Sequence, residues 1–263
     1  MQRNAITSLD IHWDIISRDG SLRPMDAKLL PGLLITGTDT NVGKTYVAAR
    51  IVAALVNAGH RVGVYKPVSS GVAETADAGE SEASDPALLW HAAGRPGDLD
   101  RVCPQQFSAP LAPHLAAAAA GQQVDPELLR TGLDYWRNRS DIVIVEGVGG
   151  LMSPISVDDY VADLAAEFGF PLVVVASNAL GVINQTLQTL ITAATFRDGL
   201  DVAGIVLNQT VAPEAGDDVS LASNRRELEQ RCVPPVVAEL KWGADRFDVE
   251  VDWFGLASCS ADQ

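Results

Sequence analysis

The strongest constraint on the fold of this chain is residues 37–45, which read GTDTNVGKT. The apolar run 33–35 precedes this segment, and the helix-permissive run 46–58 follows it. A strand, a tight loop and a helix in that order form a phosphate-binding cradle, because the loop N–H groups and the helix N-terminus face an anion. Lys44 adds a positive charge, and the Thr45 hydroxyl can reach Mg²⁺. The segment therefore predicts a nucleotide-binding loop.

The spacing of this loop departs by one residue from the general P-loop pattern, G-x-x-x-x-G-K-[ST]. That pattern has glycine at position 38, whereas this chain has Thr38 there and its glycine one residue earlier, at Gly37. The alternative is a strand-to-helix turn that happens to contain Gly-Lys-Thr. The flanking strand and helix favour nucleotide binding.

Short apolar runs alternate with helix-length segments along the rest of the chain. The predicted strands are residues 33–36, 62–65, 142–145, 172–175, 203–207 and 236–240. The predicted helices are residues 44–58, 85–93, 126–138, 159–168, 182–196 and 221–231. Almost continuously apolar strands indicate a parallel sheet covered on both faces. We therefore predict an α/β fold of the P-loop NTPase type, a doubly wound, mainly parallel sheet with helices on both faces and a site at the carboxyl ends of its strands.

The chain is predicted to have one main domain and an N-terminal extension. Residues 31–263 form the predicted P-loop α/β domain, since a chain with 47% hydrophobic residues can bury a large core. Residues 1–30 fit an edge hairpin and a disordered leader equally well. Residues 73–84 and 213–220, rich in Ala, Gly and acids, are predicted to be mobile surface loops.

The amino-acid composition limits which binding partners and which cellular compartment we expect for this protein. The 34 acidic and 19 basic residues give a net charge of −15, which disfavours nucleic acid and anionic membranes and requires a local positive site for any phosphate ligand. Three cysteines without a Cys-x-x-Cys pair indicate reduced thiols in a cytoplasmic protein. The N-terminus has no apolar signal segment, and no run of about 20 apolar residues occurs. We expect neither a nucleic-acid partner nor a membrane anchor.

Polar residues follow several of the predicted strands. Lys66 comes one residue after strand 62–65, where it is placed to contact an anionic substrate or, alternatively, to extend its ammonium into solvent. Glu146 follows strand 142–145 and precedes three glycines, a position that suits a Mg²⁺ ligand. Asp85 by itself looks like a helix cap. Asn208 fits a residue that reads an adenine edge and a plain turn asparagine equally well.

Three motifs taken together resemble the dethiobiotin synthetase family. They are GTDTxVGKT at 37–45, KPVxSG at 66–71 and VEGxGG at 145–150, and their order and spacing agree over roughly residues 32–243. The early glycine of the loop is the form that this family uses. Weaker similarities are PxxPH at 110–114, LGxIN at 180–184, Asn208 and ELxW at 239–242.

The resemblance implies a ligase of biotin biosynthesis that forms C–N bonds. Its substrates would be 7,8-diaminononanoate, CO2 (or bicarbonate) and ATP, with Mg²⁺ as cofactor. A carbamate on one amine would attack the γ-phosphate, and the resulting carbamic–phosphoric anhydride would be closed to dethiobiotin by the second amine. The resemblance also implies a homodimer.

The resemblance assigns roles to individual residues. Lys66 and Lys44 are implied to be catalytic. Oxygen ligands of Mg²⁺ are implied at Thr45, Asp85 and Glu146. Nucleotide contacts are implied at Asn41, Val42, Gly43, Lys44, Thr45, Tyr46, Asp85, Glu146, Gly147, Val148, Gly149, Asn208, Gln209, Lys241 and Trp242. Substrate contacts are implied at Thr40, Ser70, Gly150, Gly181 and Asn184, the last two toward substrate bound to the partner subunit.

Three positions depart from the family pattern: the change at Asn41 bears on any charge-based role there, and those at Gln209 and Lys241 bear on the nucleotide base. Asn41 stands where some members have glutamate, Gln209 follows Asn208 where an aspartate can occur, and Lys241 replaces a proline. These changes leave the phosphoryl chemistry intact and the base preference open.

Two other classes share this type of fold. A partition-type regulatory ATPase has a lysine near the start of its loop, where this chain has Thr38 and Asp39, and does not need the motif at 66–71. It is the alternative function. A cobyrinate-type amidating synthetase needs a further glutaminase domain, whereas about twenty residues follow the last predicted strand here.

We predict that deletion of residues 1–30 leaves catalytic activity largely unchanged, because the motifs lie downstream of this extension. Turnover and oligomeric state of the truncated protein measure this. A clear loss of either would show that the extension is an integral strand.

Overall fold

The computed structural model describes residues 30–72, 84–212 and 219–258. Residues 1–29, for which a hairpin and a disordered leader were both predicted, lie outside this part of the chain. So do most residues of the two predicted loops, 73–84 and 213–220.

The central element is a parallel six-stranded sheet. In chain order the strands are β1 (Gly32–Gly37), β2 (Val62–Tyr65), β3 (Ser69–Ser70), β4 (Gln106–Phe107), β5 (Ile142–Gly150), β6 (Leu172–Ser177), β7 (Val202–Asn208) and β8 (Val236–Leu240). The large sheet has the order β2-β5-β1-β6-β7-β8, and β3 pairs with β4 in a separate two-stranded sheet. The predicted parallel sheet is confirmed.

Ten helices among the described residues connect and cover these strands. They are α1 (Lys44–Asn57), α2 (Asp85–Ala92), α3 (Leu99–Val102), α4 (Pro113–Ala119), α5 (Pro126–Thr131), α6 (Asp134–Arg137), α7 (Val161–Phe168), α8 (Val182–Thr195), α9 (Leu221–Glu229) and α10 (Trp253–Ser258). The doubly wound α/β class predicted from the sequence is confirmed. None of the helices in the described ranges has the length and apolarity needed to cross a membrane.

The predicted helix 126–138 is wrong in its continuity, because the chain forms α5 and α6 with a break at Gly132. The Tyr65 hydroxyl lies 3.0 Å from the carbonyl oxygens of Leu128 and Leu129, to which it donates. It thus satisfies carbonyls at the end of α5. A Cβ on Gly132 would also overlap that hydroxyl, so this close approach requires glycine.

Strand β5 is longer than predicted and continues through the glycines to Gly150. Its register against β1 shifts between Ile35 and Gly37, so that Gly150 lies beside the end of β1. Ser153 fixes this end, since its hydroxyl accepts a 2.9 Å hydrogen bond from the Gly150 N–H. Glu146 therefore lies within a strand rather than in a turn.

Ion pairs hold the segment between β5 and α7. Arg130 donates to Asp159 at 2.8 Å and to Glu167 at 2.5 Å. Arg197 pairs with Asp163, whose carboxylate also accepts from the Tyr160 N–H at the start of α7. These contacts fix the chain that leaves the glycine-rich end of β5.

We predict that Val64→Ala lowers the free energy of unfolding by about 2 kcal/mol, because it removes two buried methyl groups and leaves a cavity. Val64 has no exposed surface in β2, whereas Val233 is 98% exposed. Val233→Ala is the matched control and should change stability by less than about 0.5 kcal/mol. Urea unfolding measures both, and equal effects would contradict the packing described here.

Candidate active site

The carboxyl ends of three neighbouring strands carry the charged residues of the candidate site. Strand β1 leads into the loop that ends at Lys44, β2 leads into Lys66, and β5 contains Glu146. Because β2, β5 and β1 are adjacent and parallel, these three side chains meet at one edge of the sheet.

Hydrogen bonds and two residues with positive φ angles fix the conformation of the loop after β1. The Thr38 N–H donates to the Val175 carbonyl at 3.0 Å, which ties the loop to β6. The Lys44 ammonium donates to the Asp39 carbonyl at 3.0 Å. Asn41 and Gly43 have φ angles of 58° and 83°, so the backbone turns through the left-handed region before α1 begins. This geometry matches the predicted phosphate loop.

The position of the early glycine has a steric reason. A Cβ on Gly37 would lie 2.7 Å from the Asp39 carbonyl oxygen and 2.8 Å from a Val42 methyl group. The loop folds back over its own first residue, so position 37 must be glycine while position 38 accepts threonine.

Lys66 is held between two carboxylates. Its ammonium lies 2.5 Å from the Asp85 carboxylate and 2.9 Å from Oε1 of Glu146. Lys66 is 4% exposed and Glu146 1% exposed. The Thr45 hydroxyl donates to the same Oε1 at 2.7 Å, which links the phosphate loop to this cluster. We call Lys66, Asp85, Glu146 and Thr45 the charge cluster.

Burial and the neighbouring carboxylates act in opposite directions on the pKa values of the two lysines. Burial lowers the pKa of Lys66, but Glu146 and Asp85 outweigh burial and raise that pKa above its ordinary value of 10.5. Burial lowers the pKa of Lys44 by more than the neighbouring carboxylates raise it. The stability that the Lys66 charge contributes is therefore fully present below pH 10.5 and is lost only in more alkaline solution.

The predicted cap at Asp85 is wrong by one residue. Ser84 is the N-cap of α2, where its hydroxyl accepts from the Ala87 N–H at 3.4 Å. Asp85 is the first helical residue, and its carboxylate is thereby free to reach Lys66. Asp85 and Lys66 are 19 positions apart in the sequence. A local sequence pattern therefore does not predict that they pair.

The oxygen atoms of the charge cluster suit a magnesium ion. Oε2 of Glu146 is buried and has no hydrogen-bond partner among the described residues. A buried carboxylate oxygen without a partner is costly, and a cation would relieve that cost. Together with the Thr45 hydroxyl and the half-exposed Asp85 carboxylate, it forms a set of hard donors of the kind that Mg²⁺ prefers.

Comparison with known proteins identifies the family. A family model described as an AAA domain matches residues 31–246. The ATP-dependent dethiobiotin synthetase BioD of Rhodopirellula baltica is 42% identical over 217 residues, which cover 79% of this chain and 82% of that protein. The corresponding protein of Anaeromyxobacter dehalogenans is 42% identical over 214 residues, covering 81% and 91%. That of Bacillus cereus is 36% identical over 224 residues, covering 84% and 87%.

The chain belongs to the dethiobiotin synthetase family. The resemblance predicted from the three motifs is confirmed. A ParA family ATPase from Chlorobium tepidum is 16% identical with a TM-score of 0.46, covering 80% of this chain and 83% of that one. A likeness at that distance does not support the regulatory-ATPase alternative.

Hydrogen bonds join two of the residues predicted to contact the nucleotide base, Tyr46 and Gln209, to segment 240–244 of this synthetase. The Tyr46 hydroxyl donates to the Ala244 carbonyl at 2.6 Å, which holds the turn after Lys241 against α1. Trp242 in that turn is 52% exposed. The Gln209 N–H donates to the Leu240 carbonyl at 2.8 Å. Contact of these residues with a nucleotide base stays a prediction.

The predicted substrate residues lie in three places. A Cβ built on Gly150 would lie 3.1 Å from the Gly37 carbonyl oxygen. A Cβ built on Gly149 would lie 3.8 Å from the Thr40 methyl group. Ser70 lies in β3. Gly181 and Asn184 lie exposed at the start of α8, and no hydrogen bond within the described part of the chain joins them to the charge cluster. Their role toward a partner subunit stays a prediction.

The glycines after Glu146 have tight surroundings. A Cβ on Gly147 would lie 2.9 Å from a Val161 methyl group, and one on Gly149 would overlap the Ser153 hydroxyl. Val148 is partly buried against the neighbouring apolar cluster. Sequence reasoning missed the roles of Asp39 and Ser153, although a serine three residues after a glycine turn is a recognisable signal for a side-chain-to-backbone bond.

We predict that Lys66→Met lowers the free energy of unfolding by about 3 kcal/mol, because it leaves the Glu146 carboxylate buried without its cation. The double variant Lys66→Met/Glu146→Gln should recover part of this loss, since the uncompensated charge is then absent. Lys241→Met, at an exposed lysine, is the matched control. Urea unfolding at pH 7 measures all three, and a fully stable Lys66→Met protein would contradict the buried pairing.

Proposed function

We propose that this protein closes 7,8-diaminononanoate and CO2 (or bicarbonate) into dethiobiotin with ATP as co-substrate, as a ligase of biotin biosynthesis. The observation that carries the proposal is the Lys66 ammonium, buried between two carboxylates beside the phosphate loop. A regulatory ATPase has no need of a second buried ammonium at this place. Membership of the synthetase family supports the same reaction.

The proposed reaction needs no nucleophile from the protein. One amine of the substrate takes up CO2 to form a carbamate. A carbamate oxygen bonds to the γ-phosphorus of ATP while the bond from that phosphorus to ADP breaks, which gives a carbamic–phosphoric anhydride. The second amine then attacks the carbamate carbon and loses a proton, and phosphate leaves with the bridging oxygen. Positioning and charge neutralisation are what the protein must supply.

The two lysines supply the positive charge in this proposal. Lys44 would bridge the phosphate oxygens above the loop formed by Asn41, Val42 and Gly43. Lys66 would face the carbamate and the transferring phosphoryl group, and its raised pKa keeps it a cation at neutral pH. As both ammonium groups are largely buried, their field on the reacting atoms is weakly screened.

Mg²⁺ is the proposed cofactor, held by Thr45, Asp85 and Glu146. When bound, it would neutralise charge on the phosphate oxygens of ATP. This assignment is supported by Oε2 of Glu146, which has no hydrogen-bond partner in the part of the chain that the structure describes. Asp85 and Glu146 would then divide their charge between the ion and Lys66, so that metal and ammonium share one set of carboxylates.

Further contacts are proposed from the family assignment. Tyr46, Asn208, Gln209, Lys241 and Trp242 would surround the nucleotide base, and Gly147, Val148 and Gly149 would approach the nucleotide along β5. Thr40, Ser70, Gly150, Gly181 and Asn184 would contact the diamine. A cytoplasmic homodimer is proposed, in which Gly181 and Asn184 approach substrate bound to the partner subunit.

We predict that ADP release from MgATP and bicarbonate depends on 7,8-diaminononanoate and is matched by dethiobiotin, because the acceptor of the phosphoryl group is a carbamate of the diamine. ADP release in a coupled assay and mass detection of dethiobiotin measure this, with reactions lacking diamine or bicarbonate as controls. ADP release that is indifferent to diamine would contradict the proposal and favour a regulatory ATPase.

A further inference from the structure

Asn208 closes the back of the phosphate loop in a way that its predicted contact with the nucleotide base does not explain. The residue ends β7, is 3% exposed, and its side-chain amide donates to the Val42 carbonyl at 2.9 Å. Strand β7 is separated from β1 by β6, so the side chain reaches across the end of β6 to the loop. One N–H of the Asn208 amide is thus engaged with the protein backbone, while its second N–H and its Oδ1 take no part in this bond.

The Val42 carbonyl and the Gly43 N–H belong to one peptide unit. This unit is planar and trans, so its C=O and N–H point in opposite directions. A donor that fixes the carbonyl on the Asn208 side therefore aims the Gly43 N–H away from Asn208, toward the inside of the loop. The N–H groups there are the ones that bind phosphate oxygens in a loop of this kind.

The surroundings of Gly43 agree with this role. A Cβ on Gly43 would overlap the Asn208 amide nitrogen and would lie 3.8 Å from the Thr210 methyl group. Glycine at this position therefore serves two purposes, since it adopts a φ of 83° and also leaves room for the Asn208 amide. The Thr210 hydroxyl is itself held at 2.8 Å from that of Ser177 at the end of β6.

Hydrogen bonds also hold the backbone of Asn208 in place. Its own carbonyl accepts from the Asn178 N–H at 2.8 Å, and Asn178 in turn accepts from the buried Asn224 amide of α9 at 2.8 Å. Its side chain therefore projects from a hydrogen-bonded joint between β6, β7 and α9.

We propose that Asn208 is a positioning residue that sets the phosphate affinity of the loop through the Val42–Gly43 peptide, in addition to the contact with the nucleotide base proposed above. The inference rests on the proposed function only in taking the loop as the phosphate site. It requires neither diamine nor turnover.

The test compares ligands with and without a base. Isothermal titration with pyrophosphate, ADP and GDP is carried out on N208A and N208L, with N57A, at an exposed asparagine of α1, as the matched control. We expect pyrophosphate, which has no base, to bind at least tenfold more weakly in both variants, and ADP to lose at least as much affinity. N57A should bind all three ligands as the wild type does.

Unchanged pyrophosphate binding in the variants would overturn the proposal. Pyrophosphate binding that is unchanged together with an altered ADP to GDP ratio would identify Asn208 as a base reader. If circular dichroism shows that the apolar variants do not fold, N208S replaces them. Its side chain is polar but too short to reach Val42, so we expect the same losses of affinity. These binding results stand whether or not the protein makes dethiobiotin.

A double-mutant cycle gives a second measurement. G43A alone should weaken pyrophosphate binding, since its methyl group displaces the Asn208 amide as well as straining the backbone. In the N208A background the displacement is absent, so G43A should cost less there, and the two losses should not multiply. Losses that multiply fully would show that the residues act independently and would overturn the proposal.

Discussion

The rest of the site depends on one interaction, the buried pairing of the Lys66 ammonium with Glu146. A charge so far from solvent costs several kcal/mol unless a partner compensates it. The parallel sheet provides that partner, because β2 and β5 are adjacent and deliver the two residues to the same edge. Thr45 extends the pairing into the phosphate loop, so that loop, lysine and carboxylate form one unit.

This unit also provides the local positive charge that an anionic ligand needs in order to bind to a strongly acidic protein. With a net charge of −15, the protein repels phosphate at long range, and attraction must come from nearby groups. Lys44 and Lys66 are such groups, and both are largely buried, where their field is screened less than at the surface. The carboxylates keep Lys66 charged, and one oxygen of Glu146 has no hydrogen-bond partner within the described ranges of the chain.

The sequence predicted those parts of the fold that local pattern decides. The six apolar strands and the longer helices were identified, as were Lys44 in the loop after β1, Lys66 after β2 and Glu146 in β5 as candidate site residues. The break at Gly132 was not predictable, because the Tyr65 hydroxyl that donates to the Leu128 carbonyl there lies 63 positions away in the sequence. The pairing of Asp85 with Lys66 and the bond from Asn208 to Val42 likewise join distant segments, which no local pattern reveals.

The fate of one oxygen atom tests most directly whether ATP phosphorylates a carbamate of the substrate. The reaction is run with ¹⁸O-labelled CO2, diamine and MgATP, and the released phosphate is examined by mass spectrometry. We expect one labelled oxygen in each phosphate, because the carbamate oxygen leaves with the phosphoryl group. Phosphate that takes its new oxygen from water instead would mean simple hydrolysis of ATP and would rule out phosphorylation of the carbamate.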